Sequence, residues 1–228
     1  MGNDGKEVLT EESISLEEAR KQQKQIEKDK NREMILTVAT GGICLGLSYV
    51  LSLIKLFEMP QGGSVTPASM LPIIFFCLAF GAKSGFIVTF AYSLLQLIGG
   101  YFYHPVQVVL DYTLAFTLIG VAGFFAASAK KRMQFKNPIK RLKLVPFWRI
   151  GAAVFLAFAL RCFCHVLSGV VFFAEYAGEQ NPWIYSILYN GTFLLVEAAI
   201  TVVILIGVSV ALGLLHVDIS IGKDKKEK

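Results

Sequence analysis

Polar and apolar positions along this chain fall into long blocks rather than a short strand or helix period. Residues 1–33 are charged and polar, with "LTEESISLEEARKQQKQIEKDKNRE" as their main part. Acids come early and bases late, which suits a helix dipole, and Thr10 or Ser13 supplies a cap. Apolar positions there are too sparse for a core-facing stripe, so the expectation is a solvated, partly helical tail. Six apolar blocks follow, at 34–57, 68–80, 86–98, 106–129, 147–173 and 184–215. Several are long enough to cross a bilayer, which takes roughly 20 helical residues. Between them lie "EMPQGGSVTP" (Glu58 to Pro67), the turn "GAKSG" (Gly81 to Gly85), "GGYFYHP" (Gly99 to Pro105), a basic connector from Lys130 to Lys143, and "AEYAGEQNPW" (Ala174 to Trp183).

The blocks predict an all-α membrane protein with six transmembrane helices. Its organisation is a charged tail over 1–33, one membrane domain over 34–215, and a basic tail over 216–228. Orientation follows from the bases. The loops after the first, third and fifth blocks contain no Lys or Arg, whereas the connector "KKRMQFKNPIKRLK" has seven and the terminal "GKDKKEK" four. Cytoplasmic segments collect Lys and Arg, so both termini are expected in the cytoplasm.

Composition narrows the function. The chain has 228 residues, 54% of them hydrophobic, and a net charge of +5. The bases flank apolar blocks, which points to membrane orientation rather than nucleic-acid binding. Cys44, Cys77, Cys162 and Cys164 all lie in apolar segments, with neither a zinc spacing nor a disulfide framework. The N-terminus lacks the apolar stretch of a cleavable signal, and "MGNDGK" has Lys6 where a myristoylation signal wants Ser or Thr. No nucleophile elbow, HExxH or phosphate loop is present, so no enzyme is predicted and no cofactor is expected.

The informative residues are those that do not suit lipid. Asp111, Arg161, His165, Asn190 and Glu197 fall inside apolar blocks, where a polar group facing hydrocarbon costs several kcal/mol. They must face protein or a wet cavity. Arg161 and His165 are four apart, and Asn190 and Glu197 seven apart, so each pair shares a helix face. If they only join helices, Asp111 pairs with Arg161. The aromatic residues Tyr101, Tyr103, Tyr112, Phe173, Trp183 and Tyr185 lie near the expected outer ends of the blocks. With a carboxylate among them they describe an outward-opening pocket for a flat, cationic or polar heteroaromatic ligand. Separately, "GICLG" places Gly42 and Gly46 four apart on the first helix, a spacing that admits another helix closely.

Four blocks of residues carry a resemblance. "MPQGGSV" (Met59 to Val65), "HPVQVVLDYTLAF" (His104 to Phe116), "LRCFCHVLSGVVFF" (Leu160 to Phe173) and "PWIYSILYNGT" (Pro182 to Thr192) resemble the thiamine-specific S-components of energy-coupling-factor vitamin transporters. The likeness runs from about Met34 to Leu215. It implies the six-helix S-component fold and high-affinity capture of thiamine from outside, in a bacterial cytoplasmic membrane. It also implies partners: a transmembrane coupling protein and two cytoplasmic ATPases.

By the same resemblance, Asp111 and Tyr112 stand where the family has an acidic–Tyr pair, and His165, Tyr185 and Asn190 occupy family positions. Arg161 stands where some relatives have Lys, and Phe173 where some have Trp. The ring that some relatives place in the first outer loop falls near Gly63, which leaves Gln61, Gly63 and Ser64 as the loop's contribution. Tyr101 is expected to stack on the ligand. Gly42 and Gly46 match a partner-docking motif. Glu197 has no family role and is expected to pair with Arg161 or face a wet crevice. An S-component for another vitamin or thiamine precursor, or a solitary proton-coupled carrier using Asp111, His165 and Glu197, are the alternatives.

Overall fold

The computed structural model describes residues 11–214, the side chains of 11–15 and of Gln61 excepted. The expected Thr10 cap and the tail at 216–228 lie outside the described residues. By contacts the chain forms two units, Met1–Ala39 and Thr40–Lys228.

Apart from short 3-10 turns at Pro60–Gly62, Ile139–Leu144 and Ala174–Ala177, the described chain has seven helices: α1 (Glu11–Leu53), α2 (Leu71–Phe80), α3 (Ala82–Leu95), α4 (Pro105–Phe125), a short α5 (Ala129–Met133), α6 (Phe147–Phe172) and α7 (Pro182–Leu214). Four of them hold stretches long and apolar enough to cross a membrane, namely α1, α4, α6 and α7; α2 and α3 are apolar but shorter. Pro105 opens α4 at a position where proline loses nothing, and the His104 ring nitrogen caps it by accepting from the Val106 amide at 3.2 Å. Pro182 opens α7 the same way, with Asn181 accepting from the Trp183 amide at 2.9 Å.

Several boundaries differ from the sequence expectation, each for a local reason. The tail is helical from Glu11 onward and continuous with the first apolar block. That block ends as helix at Leu53 rather than Phe57, because Phe57–Glu58 (β1) pairs antiparallel with Ser64–Val65 (β2). The loop thus takes in Lys55, which pairs with Glu58 at 2.5 Å. The turn expected over Gly81–Gly85 is a single residue: Gly81 sits at φ +88°, where a side chain is strained, and α3 resumes at Ala82. The fourth block breaks at Ala126, which is extended, before α5.

Large apolar side chains lie on the outside as well as in the core. Val38, Phe155, Leu195 and Val203 are exposed, while Ser48, Thr89, Thr201 and Glu197 are buried. A surface this apolar is what lipid contacts. Helix α2 is enclosed on nearly all sides, from Ile73 to Phe80, packed by α3, α4 and α6. Its C-terminal carbonyls are met by the basic connector: Arg132 donates to the Phe80 carbonyl at 2.8 Å and Arg141 to that of Ala79 at 3.4 Å. Arg141 is fully buried, its guanidinium 4.7 Å from the Phe80 ring centre. Two connector residues therefore serve the core rather than solvent, satisfying orphan carbonyls at the negative end of a helix.

Candidate functional site

Helix α4 widens where the site begins. Residues Val109–Leu114 form a π-helical turn, with one extra residue relative to an α-turn. Asp111 and Tyr112, neighbours within this turn, both border the same cavity.

Asp111 is met by three donors. Gln107, one turn earlier, donates from Nε2 to Oδ2 at 2.8 Å, Ser168 donates its hydroxyl to Oδ2 at 2.6 Å, and His165 Nδ1 meets Oδ1 at 2.9 Å. The imidazole is fixed from its other side as well, since Arg161 Nε donates to its Nε2 at 3.3 Å. Accepting at Nε2 and donating at Nδ1 is the pattern of the neutral ring. Arg161 then reaches Glu197, Nη1 to Oε2 at 3.1 Å, with its guanidinium 4.6 Å above the Phe116 ring centre. One polar chain therefore runs from α4 through α6 to α7. Asp111 pairs with His165 and not with Arg161, whose partner is Glu197.

The chain continues into the first loop. Glu197 Oε1 accepts from the Thr66 amide at 3.0 Å and from the Thr66 hydroxyl. Further out on α7, the Tyr189 hydroxyl accepts from the Gly63 amide at 3.0 Å and donates to the Pro60 carbonyl. A Cβ on Gly63 would stand 2.7 Å from that hydroxyl, so a side chain there would displace the Tyr189 ring. The second loop is tied to α4: the Tyr101 amide donates to Tyr112 Oη at 2.7 Å, and the Tyr103 amide to Gln107 Oε1 at 3.1 Å. At the base, α6 and α7 close tightly, because a Cβ on Gly169 would fall 2.1 Å from Ser186 Oγ.

These elements enclose a cavity of about 660 Å³, a size suited to a small organic ligand. It is lined by Tyr101, Asp111, Tyr112, Arg161, His165, Phe173, Tyr185, Asn190, Gly63 and Ser64, so ten sequence-predicted residues come together. The side chain of Gln61 lies outside those described. Gly42 and Gly46 lie on α1 away from the cavity, with open space where their Cβ atoms would be. Of the other aromatic residues, Tyr103 packs on Phe173 at 5.9 Å between ring centres without lining the cavity, and Trp183 is half exposed. Asn190 donates to the Ser186 carbonyl at 2.9 Å, and Tyr185 stacks on Tyr189 at 6.0 Å.

Sequence reasoning missed Gln107, Ser168 and Tyr189 as members of the site. The first two were open to detection, since Gln107 is four residues before Asp111 and Ser168 three after His165, on shared faces. Tyr189 had the same signal, four after Tyr185.

Three comparisons bear on this architecture. The model of the thiamine transporter protein family (Thia_YuaJ) matches residues 38–216. A thiamine transporter, ThiT, of Bacillus subtilis is 40% identical over 151 residues, covering 65% of this chain and 76% of its own. The ThiT of Lacticaseibacillus paracasei is 29% identical over 141 residues, covering 59% and 68%. Among solved structures, ThiT of Listeria monocytogenes superposes with a TM-score of 0.63 at 22% identity, over 79% of this chain and 94% of that one. The last likeness shows a shared fold.

Proposed function

The chain belongs to the thiamine transporter protein family, and from that premise we propose that it captures thiamine as the substrate-binding subunit of an energy-coupling-factor importer. It is a multi-pass membrane protein. In this reading all six apolar helices, α2 and α3 included, cross a bacterial cytoplasmic membrane with both termini inside. The membrane domain spans 34–215 between the charged tail 1–33 and the basic tail 216–228. The subunit is not an enzyme; a coupling protein, docked at Gly42 and Gly46, and two ATPases supply the work.

The observation that carries the proposal is the setting of Asp111. Its partners are Gln107, Ser168 and His165, and among the described residues no Lys or Arg pairs with its carboxylate. Thiamine brings a permanent positive charge on its thiazolium and an amino group on its pyrimidine. Asp111 answers the charge or accepts from the amine. The rings of Tyr101, Phe173 and Tyr185 offer faces for stacking and cation–π attraction. Tyr112, His165, Asn190 and Ser64 supply polar contacts, Arg161 lines the cavity while paired with Glu197, and Gly63 keeps the loop close. The first loop, fastened to α7 at Tyr189 and Glu197, is the lid.

Calorimetric titration of the purified chain with thiamine tests this. Heat is the better readout because neither Trp148 nor Trp183 lines the cavity. Saturable binding lost in Asp111→Asn is the expected result. A folded wild type that binds no thiamine overturns the proposal.

A further inference from the structure

The charges bordering the cavity nearly cancel, and how they cancel decides which ligands it accepts. Lys55 and Glu58 neutralise each other at the exposed rim. Deeper in, the formally charged groups are Asp111, Arg161 and Glu197, with His165 held in its neutral hydrogen-bonding pattern. Two carboxylates and one guanidinium leave a net charge of minus one. The single deep cation is already committed. Arg161 gives Nη1 to Glu197 at 3.1 Å and Nε to His165 at 3.3 Å, and its guanidinium carbon stands 4.6 Å over the Phe116 ring centre. Both members of the ion pair are nearly sealed from solvent, their side chains 9% and 2% exposed. Glu197 is itself held on the other side by the amide and hydroxyl of Thr66.

We infer that Glu197 sets the charge specificity of the cavity by holding Arg161 out of ligand recognition. This rests on the thiamine reading. With Arg161 engaged, the cavity presents one uncompensated anion and, among the described residues, no cation outside an ion pair, so a monocation fits. A phosphate ester of the same compound adds ≈ −1.5 to −2 charge near neutral pH. It would face Asp111 with no cation to answer it, in a site where water screens charge poorly. Without the Glu197 charge, Arg161 becomes a phosphate partner of the kind guanidinium favours. Glu197 thus positions Arg161 and need not touch the ligand.

The test is calorimetric titration of the full chain in lipid nanodiscs with thiamine, thiamine monophosphate and thiamine diphosphate. The wild type is expected to bind thiamine about tenfold or more tighter than either ester. Glu197→Gln keeps the acceptor for Thr66 and removes the charge, and should close that gap by about tenfold. Adding Arg161→Gln to Glu197→Gln should restore the gap, an outcome that a purely structural role for Glu197 does not produce. If Glu197→Gln does not fold, Glu197→Asp retains the charge on a shorter arm and should give an intermediate gap. Equal affinity of the wild type for all three compounds overturns the inference, as does a ratio unchanged in the Glu197 variants. Absence of thiamine binding by the wild type overturns the proposed function instead.

Discussion

Asp111 and His165 are 54 positions apart in the chain and meet at 2.9 Å, carboxylate oxygen to imidazole nitrogen, across the α4–α6 contact. Their bond fixes the ring so that its second nitrogen faces Arg161. The polar chain that lines the cavity is therefore tied from one end to the other by its own side chains, and preorganisation of this kind favours tight binding.

Removing the charge at one end should be costly. Asp111→Asn keeps the shape and one acceptor, yet loses the anion. Thiamine affinity should fall by roughly two orders of magnitude, the range seen when one partner of a buried charged contact is lost. Ser168→Ala, which removes a single bond to Oδ2, should cost about tenfold or less. Titration calorimetry on both variants checks the ranking.

The lid should be kinetically separable from the cavity. Tyr189→Phe retains the ring beside Tyr185 and deletes the hydroxyl that joins Gly63 and Pro60. Thiamine should dissociate about five- to tenfold faster, with association little changed, since a net hydrogen bond contributes about 1 kcal/mol. A chase experiment with labelled thiamine measures this directly.

Gly169 on α6 packs directly against Ser186 on α7. Gly169→Ala puts a methyl 2.1 Å from Ser186 Oγ and should lower stability by about 1–3 kcal/mol through overpacking. Ser186→Ala in the same chain removes the clashing oxygen and should recover part of the loss. Thermal unfolding of the single and double variants tests the pairing.

Arg141 should affect stability without affecting binding. It donates to the carbonyls of Phe135 and Ala79 and covers the Phe80 ring, far along the chain from the cavity residues. Arg141→Ala should destabilise by about 2–4 kcal/mol, since buried carbonyls lose their donor. Thiamine affinity should stay within about twofold. Unfolding and titration on one preparation separate the two effects.

Much of the site was legible because the residues that suit lipid least are the ones that assemble it. Asp111, Arg161, His165, Asn190 and Glu197 stand out by their cost in an apolar setting, and all five border the cavity. Helical spacing correctly placed Arg161 beside His165. Which charge meets which was not legible: Asp111 and Glu197 are both within reach of α6 in principle, and only the packing of α7 assigns Arg161 to Glu197. The ends of elements were also blurred, as Phe57 and Gly81–Gly85 show. A short hairpin and a one-residue turn leave almost no mark on a hydropathy profile. Arg141 escaped for a different reason, since a base within a basic run looks solvated until its neighbours are known.

The π-turn at Val109–Leu114 makes the cavity sensitive to chain length as well as to side-chain chemistry. Deleting Thr113 or Leu114 would let the segment relax to a regular α-helix. The N-terminal part of α4 would then rotate by about 100° relative to its C-terminal part, carrying Asp111 and Tyr112 away from His165 and Ser168 on α6. Every residue named in the site would still be present, and the site would be gone. Comparisons among transporters of this kind should therefore treat a one-residue gap in α4 as a change of binding chemistry rather than as alignment noise.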